Sequence, residues 1–179
     1  ASTIVRLCAI HEPVRLEPVE VVIVLTKTFA SAEAIRSIAH ALTDETWVVT
    51  VQNGLGNERR LAEVIGHGRV VPGTTTVGAE QSTPGRTTMS PATAAGTSVT
   101  QLGPPRTTTA IPDGVRAIAR ELTEAGLPTE ALDSADLVIW TKLALAGPMG
   151  PLTALLRRTV SDVASNEHSL ALLRSMFDE

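Results

Sequence analysis

The chain has 179 residues, 43% hydrophobic and 19% charged, so it can bury a core and should fold. Its formal net charge of -4 argues against a nucleic-acid partner, because a nucleic-acid groove needs a basic face. The single cysteine, Cys8, excludes an intrachain disulfide, and the scattered histidines predict no metal site. No apolar run is long enough to span a membrane and no signal peptide is evident, so we expect a cytoplasmic protein without a membrane partner.

The first 71 residues alternate between β-branched and amphipathic segments. Residues 21–25, apolar on both faces, indicate a buried strand, and residues 46–51 indicate a second one. Between them residues 31–42 have helical spacing, with Ser31 as a suitable N-cap. A second helix is expected from a cap at Asn57 to Gly66, and a third strand starts at residues 69–71. This order predicts an α/β fold with a parallel sheet and right-handed crossovers.

The composition changes after Gly73, where Thr, Gly and Pro become frequent. Residues 86–90 and 97–102 are bounded by Pro-Gly and Gly-Pro turns and indicate an antiparallel extension. A helix is expected from a cap at Asp113 to Gly126.

From Ser134 onward the pattern is helical, with interruptions at Gly147-Pro148 and Gly150-Pro151. Pro151 suits the first turn of a new helix, and Asn166 can cap a last one. The sequence therefore predicts a sheet domain over residues 1–133, followed by an all-helical region over residues 134–179.

Polar side chains follow each predicted parallel strand. Lys27 follows the first strand, residues 52–56 the second and residues 74–76 the third. Because the carboxyl ends of parallel strands lie at one edge of a sheet, these groups should converge, and they could bind phosphate, ribose or a carboxylate. A solvated lysine at a turn explains Lys27 equally well, so both interpretations stay open.

Two further features have competing explanations. Gly54 and Gly56 open a helix after a strand, as a dinucleotide fingerprint would, but Arg59 replaces the third glycine and a plain tight turn explains them better. Lys142 lies in the apolar segment 137–146. Composition favours a side chain that snorkels to solvent, whereas burial would lower its pKa and make it a better proton donor.

Four motifs together resemble the ketopantoate reductases, also called 2-dehydropantoate 2-reductases. They are Val-Val-Ile-Val-Leu-Thr-Lys at 21–27, Val-Gln-Asn-Gly-Leu-Gly at 51–56, Gly-Thr-Thr-Thr at 73–76, and Trp-Thr-Lys-Leu-Ala-Leu-Ala with Pro-Leu-Thr-Ala-Leu at 140–146 and 151–155. Their order and spacing match the family over nearly the whole chain. The resemblance implies NADPH-dependent reduction of 2-dehydropantoate to (R)-pantoate, on the route to pantothenate and coenzyme A.

The resemblance also implies roles for individual residues. Lys27 matches the family's lysine at the cofactor site, and Asn53 with Gly54 matches the turn at the nicotinamide, where Asn53 also meets substrate. Lys142 matches the catalytic lysine, which binds the substrate and protonates its ketone oxygen as hydride arrives. Residues 1–133 would then be a partial Rossmann-like dinucleotide-binding domain, and residues 134–179 the start of a helical substrate and dimerisation domain.

The chain also departs from the family pattern. The family's first Gly-rich βαβ unit has no counterpart here, the family continues beyond Glu179, and the chain lacks an initiator Met, so we expect it to be incomplete at both ends. Ala146 and Gly150 replace two asparagines that help hold the substrate.

Three functions are therefore open: a ketopantoate reductase, a reductase of another 2-oxo acid, or a non-catalytic remnant that binds or dimerises. NADPH and NADH are not distinguished by these residues, and a homodimer through the helical region is expected by analogy alone.

Overall fold

A parallel core of three strands organises the chain. The computed structural model describes residues 4–178, except for the side chains at positions 135 and 145. Strands β1 (Val21–Val24), β2 (Trp47–Thr50) and β3 (Val70–Thr75) are parallel and adjacent, which confirms the predicted parallel sheet. β1 lies at the end of the described sheet, where Ile23 is 43% exposed, so the expectation of burial on both faces is wrong for this strand.

Helices cover both faces of the sheet. Successive residues of β2 and β3 point to opposite faces, so Val48 and Val70 pack with helices α1 (Ser31–Ser37) and α2 (Asn57–Ile65). Their neighbours Val49 and Val71 pack on the other face, against helix α4, which spans Asp113–Glu124. The sheet therefore has a hydrophobic core on each side.

The antiparallel extension has two parts. Strand β6 (Thr100–Leu102) pairs antiparallel with β3, and β7 (Thr129–Ala131) pairs parallel with β6. Strands β4 (Ala79–Thr83) and β5 (Arg86–Met89) form a separate hairpin. The short helix α3 (Pro91–Ala94) follows it. The sequence pattern located β5 and β6 but not β4, α3 or β7.

The helical region begins with one long helix. Helix α5 (Ala135–Leu156) runs without a break through Pro148 and Pro151, so the predicted interruptions and the new helix at Pro151 are wrong. Leu152, beyond both prolines, is 2% exposed. The helix packs against β3 and β6 and against helices α6 (Val160–Ser165) and α7 (Glu167–Asp178), and this packing outweighs the local proline penalty.

Several helix starts differ from the predicted caps by one residue. Ser31, Asn57 and Asp113 are each the first helical residue, and the cap positions are Ala30, Gly56 and Pro112. Asn166 does act as predicted, because its Oδ1 accepts hydrogen bonds from the N–H groups of His168 and Ser169, both at 3.1 Å. Over residues 4–178, no helix combines the length and apolarity that a bilayer crossing requires.

Candidate active site

A cavity of about 260 Å³ lies where the carboxyl ends of β2 and β3 face helix α5. We call it the α5 cavity. One wall is mostly polar and is formed by the last residues of β2, the 52–54 turn, the first turn of α2 and the carboxyl-terminal half of β3. The other wall is the largely apolar face of α5. Its lining residues are Thr50, Gln52, Asn53, Gly54, Asn57, Glu58, Pro72, Gly73, Thr74, Ile139, Lys142, Leu143, Ala146 and Gly147.

Lys142 is the cation in the wall that α5 contributes. Its side chain is half-buried, and its Nζ donates a hydrogen bond to the main-chain carbonyl of Thr75 at the end of β3. Burial lowers the pKa of Lys142 below the ordinary lysine value, because the charged form is less well solvated there. The ammonium group thus reaches the sheet edge, in place of the snorkelling that composition favoured.

A second depression, the lysine cleft, adjoins the α5 cavity and measures about 330 Å³. Both depressions share Gln52, Asn53 and Lys142 as lining residues. Lys27 lines the lysine cleft, so the structure brings it near Asn53, as the strand-end argument predicts. It also lies near Lys142, which that argument did not include. Lys27 and Lys142 are the only two lysines in the sequence.

Asn57 holds the turn that carries Asn53 and Gly54. Its Nδ2 donates to the carbonyls of Gln52, Asn53 and Gly54 at 3.2, 3.0 and 3.4 Å. Asn57 is 3% exposed, and its buried Oδ1 has no hydrogen-bond partner among the described residues. The sequence indicated Asn57 only as a helix cap, since nothing local signals that its amide faces three carbonyls.

Gln52 joins this turn to the segment that carries Lys27. Its Nε2 donates to Ser31 Oγ at 2.7 Å and to the carbonyl of Thr26, while its Oε1 accepts from Thr50 Oγ1 at 3.1 Å. Ser31 is 1% exposed, so this contact is fixed inside the protein. The Lys27 segment and the Asn53 turn are therefore held together as one polar wall.

An ion-pair bridge that sequence reasoning missed lies beside the α5 cavity. Arg106 Nε contacts Glu58 Oε1 at 2.9 Å, and Arg106 Nη2 contacts Asp136 Oδ1 at 2.9 Å. Burial lowers the pKa of Arg106, but hydrogen bonds and charges from Glu58 and Asp136 outweigh it and raise the pKa above its ordinary value. Glu58 and Asp136 are 48 and 30 positions from Arg106 along the chain, so no local motif marks them.

The two positions that depart from the family pattern occupy different places. Ala146 lines the α5 cavity, one helical turn beyond Lys142. Gly150 is exposed and does not line either depression. Of the two positions, Ala146 alone therefore lies in the wall of the cavity.

The donor set fits a nicotinamide ring and a 2-oxo acid. The side-chain amide of Asn53 can pair with a carboxamide, and a lysine can pair with a carboxylate or a ketone oxygen. Ile139 and Leu143 give the α5 cavity an apolar side against which a ring can lie. Among residues 4–178, His, Cys, Asp and Glu side chains form no group of three that could hold a metal ion.

Known proteins share parts of their sequence and fold with this chain. The 2-dehydropantoate 2-reductase of Aquifex aeolicus is 26% identical over 162 residues, which are 89% of this chain and 50% of that protein. The crystal structure of the Geobacter metallireducens 2-dehydropantoate 2-reductase superposes with a TM-score of 0.78 at 26% identity, covering 90% of this chain and 51% of that one.

A D-mandelate dehydrogenase solved with NADH shares the fold, with a TM-score of 0.76 at 19% identity over 89% of this chain and 51% of that one. The chain thus spans about half the length of the relatives it matches. The family model for ketopantoate reductase PanE/ApbA matches residues 2–105, and the chain belongs to this family.

Proposed function

We propose that the protein is an NADPH-dependent oxidoreductase that reduces the ketone of 2-dehydropantoate to (R)-pantoate. The observation that carries the proposal is the position of Lys142, whose half-buried ammonium lies at the strand ends in the same cavity as Asn53. Family membership supports the reaction class. Residues 1–133 would supply the cofactor side of the site and residues 134–179 the beginning of the substrate side.

When bound, the cofactor supplies the hydride to the ketone carbon. Lys142 donates a hydrogen bond to the ketone oxygen and transfers its proton as negative charge develops there. The carbonyl of Thr75 orients the ammonium before substrate arrives. Because burial lowers the pKa of Lys142, proton transfer to the product oxygen is easier than from a solvated lysine.

The remaining predicted residues act in binding. Asn53 contacts nicotinamide and substrate from the turn that Asn57 supports. Gly54 has no side chain, so its backbone can approach the ligand closely, and its φ of +96° is a conformation that glycine adopts without strain. Lys27 offers a cation to the cofactor from the lysine cleft. The homodimer and the cytoplasmic location stay predictions.

A second candidate function is the reduction of a different 2-oxo acid. Ala146, Ile139 and Leu143 form an apolar strip on the α5 side of the cavity. Such a strip favours a substrate whose carbon chain carries an apolar group over one that carries a hydroxyl.

Steady-state assays with each acid and each nicotinamide cofactor distinguish these functions. The purified protein is mixed with NADPH or NADH and with 2-dehydropantoate, 2-oxoisovalerate or benzoylformate, and oxidation of the cofactor is followed by absorbance. We expect the highest kcat/KM for 2-dehydropantoate with NADPH. A higher kcat/KM for an acid without the hydroxyl would support the second function, and no turnover of any acid would support a non-catalytic binding module.

A further inference from the structure

Arg106 joins helices α2 and α5, which both contribute residues to the lining of the α5 cavity. It lies in the segment between β6 and α4, and its guanidinium contacts Glu58 in the first turn of α2 and Asp136 in the first turn of α5. Both contacts measure 2.9 Å. One side chain thus ties the start of α5 to the wall that carries Asn53 and Asn57.

The two acids are not equivalent. The Glu58 side chain is 6% exposed, that of Asp136 is 62% exposed, and that of Arg106 is 30% exposed. A buried carboxylate needs a partner, so Glu58 fixes the position of the guanidinium. The exposed Asp136 is then held by an already ordered cation, which reduces the entropy lost when that pair forms.

This bridge lies close to the face that α5 presents to the cavity. Asp136 precedes Ile139 by three residues and lies next to it on the helix surface, and Lys142 follows one turn later. A rotation or a shift of the first turn of α5 would move Ile139 and Lys142 together. The contact of Lys142 with Thr75 would then be lost.

We propose that Arg106 is a positioning residue, which through Glu58 and Asp136 orients α5 so that the Lys142 ammonium faces the reacting ketone. The proposal rests on the proposed function for the chemical role of Lys142, but the position of the lysine can be measured without any assay of activity. Arg106 itself need not touch the substrate.

The direct test uses lysine labelled with ¹³C at the ε-carbon. Because the sequence has only two lysines, the spectrum holds two signals, which Lys27→Arg assigns. In Arg106→Met and Asp136→Asn we expect the Lys142 signal to shift and its titration midpoint to rise toward that of an ordinary lysine, as the ammonium becomes solvated. The Lys27 signal should stay in place.

Conservative and control variants separate positioning from general stability. Arg106→Lys adds a third lysine signal, but the Lys142 signal should lie closer to its wild-type position than in Arg106→Met, because a cation stays beside Glu58. The control is Arg120→Gln, which removes an exposed contact of 4.0 Å with Glu124 on α4 and should leave both signals unchanged. Circular dichroism checks that each variant is folded, and Asp136→Asn provides the test if Arg106→Met does not fold.

Kinetics give the second readout. Misplacement of a reacting group by about 1 Å can lower rate on the order of 10²-fold, so kcat should fall by up to this factor in Arg106→Met while the KM for cofactor stays the same. A folded Asp136→Asn or Arg106→Met variant with an unmoved Lys142 signal would overturn the inference. A moved signal in a protein without reductase activity would support the positioning role and contradict the proposed function.

Discussion

Lys142 on α5 donates its hydrogen bond to the carbonyl of Thr75, which lies 67 positions earlier at the end of β3. The acceptor is a neutral peptide group, and among the described residues Lys142 forms no ion pair. A carboxylate partner would stabilise the charged form and raise the pKa, whereas burial without one lowers it. The contact therefore positions the ammonium without holding its proton tightly.

The two lysines should have separable roles. We expect Lys142→Met to lower kcat by roughly 10²–10⁴-fold, the usual contribution of a positioned proton donor, with little change in the KM for cofactor. Lys27→Met should instead raise the KM for cofactor and largely preserve kcat. Steady-state kinetics with each substrate varied in turn measure both. Wild-type turnover in Lys142→Met at saturation would mean that another group donates the proton.

The pH dependence follows from the lowered pKa of Lys142. Only the protonated amine can donate, so kcat/KM should be constant below the pKa of Lys142 and fall as pH rises through it. Because burial lowers that pKa, the fall should come at a lower pH than for an ordinary lysine. A pH profile of kcat/KM locates the midpoint. In Lys142→Arg the residual activity should not show this fall, since a guanidinium stays protonated.

An amide at position 146 should improve binding of a hydroxylated substrate. Ala146 lines the α5 cavity, so Ala146→Asn places a donor and an acceptor there. One hydrogen bond between this amide and the substrate hydroxyl contributes about 0.5–1.5 kcal/mol, which corresponds to a KM for 2-dehydropantoate lower by roughly two- to tenfold. Gly150→Asn is the control and should leave KM unchanged, because Gly150 is exposed and outside the cavity. An equal decrease in the KM for 2-dehydropantoate in both variants would show that position 150 also lines the cavity when substrate is bound.

Asn57→Asp should weaken the turn at Asn53. The Nδ2 of Asn57 faces three carbonyl oxygens between 3.0 and 3.4 Å away, and a carboxylate oxygen in its place would repel them. We expect a loss of about 1–3 kcal/mol in the free energy of unfolding and a higher KM for cofactor. Urea denaturation and kinetics measure the two effects. Unchanged stability would mean that the turn does not depend on this amide.

Gly73 on β3 leaves no room for a side chain. A Cβ there would lie 2.8 Å from the carbonyl oxygen of Gln101 and 2.8 Å from a methyl group of Leu102, which pairs with Gly73 in β6. We expect Gly73→Ala to lower the free energy of unfolding by about 1–3 kcal/mol through overpacking.

A Cβ at Gly150 would meet no atom within 4 Å, so Gly150→Ala in helix α5 should raise that free energy by about 0.5–1 kcal/mol. Urea denaturation of the two variants provides the comparison.

Several elements could be predicted because their signals are local. Strands β1, β2 and β3 and the ends of α2 and α4 at Gly66 and Gly126 follow from β-branched runs and from glycines that stop helices. The convergence of Lys27 and Asn53 follows from the parallel topology alone. Helix starts at Ser31 and Asn57 were wrong by one residue, because both side chains form contacts with the 52–54 turn region instead of capping their own helices.

The parallel sheet and the polar groups at its carboxyl edge could be predicted from the residues alone, because β-branched runs and the polar residues that follow them are adjacent in the chain. Three features required the folded structure: α5 runs unbroken through Pro148 and Pro151, β6 pairs with β3, and Lys142 contacts the carbonyl of Thr75. The same holds for the bridge at Arg106. These features depend on packing and charge pairing between segments far apart in the chain, and such contacts leave no periodicity or spacing in any one segment.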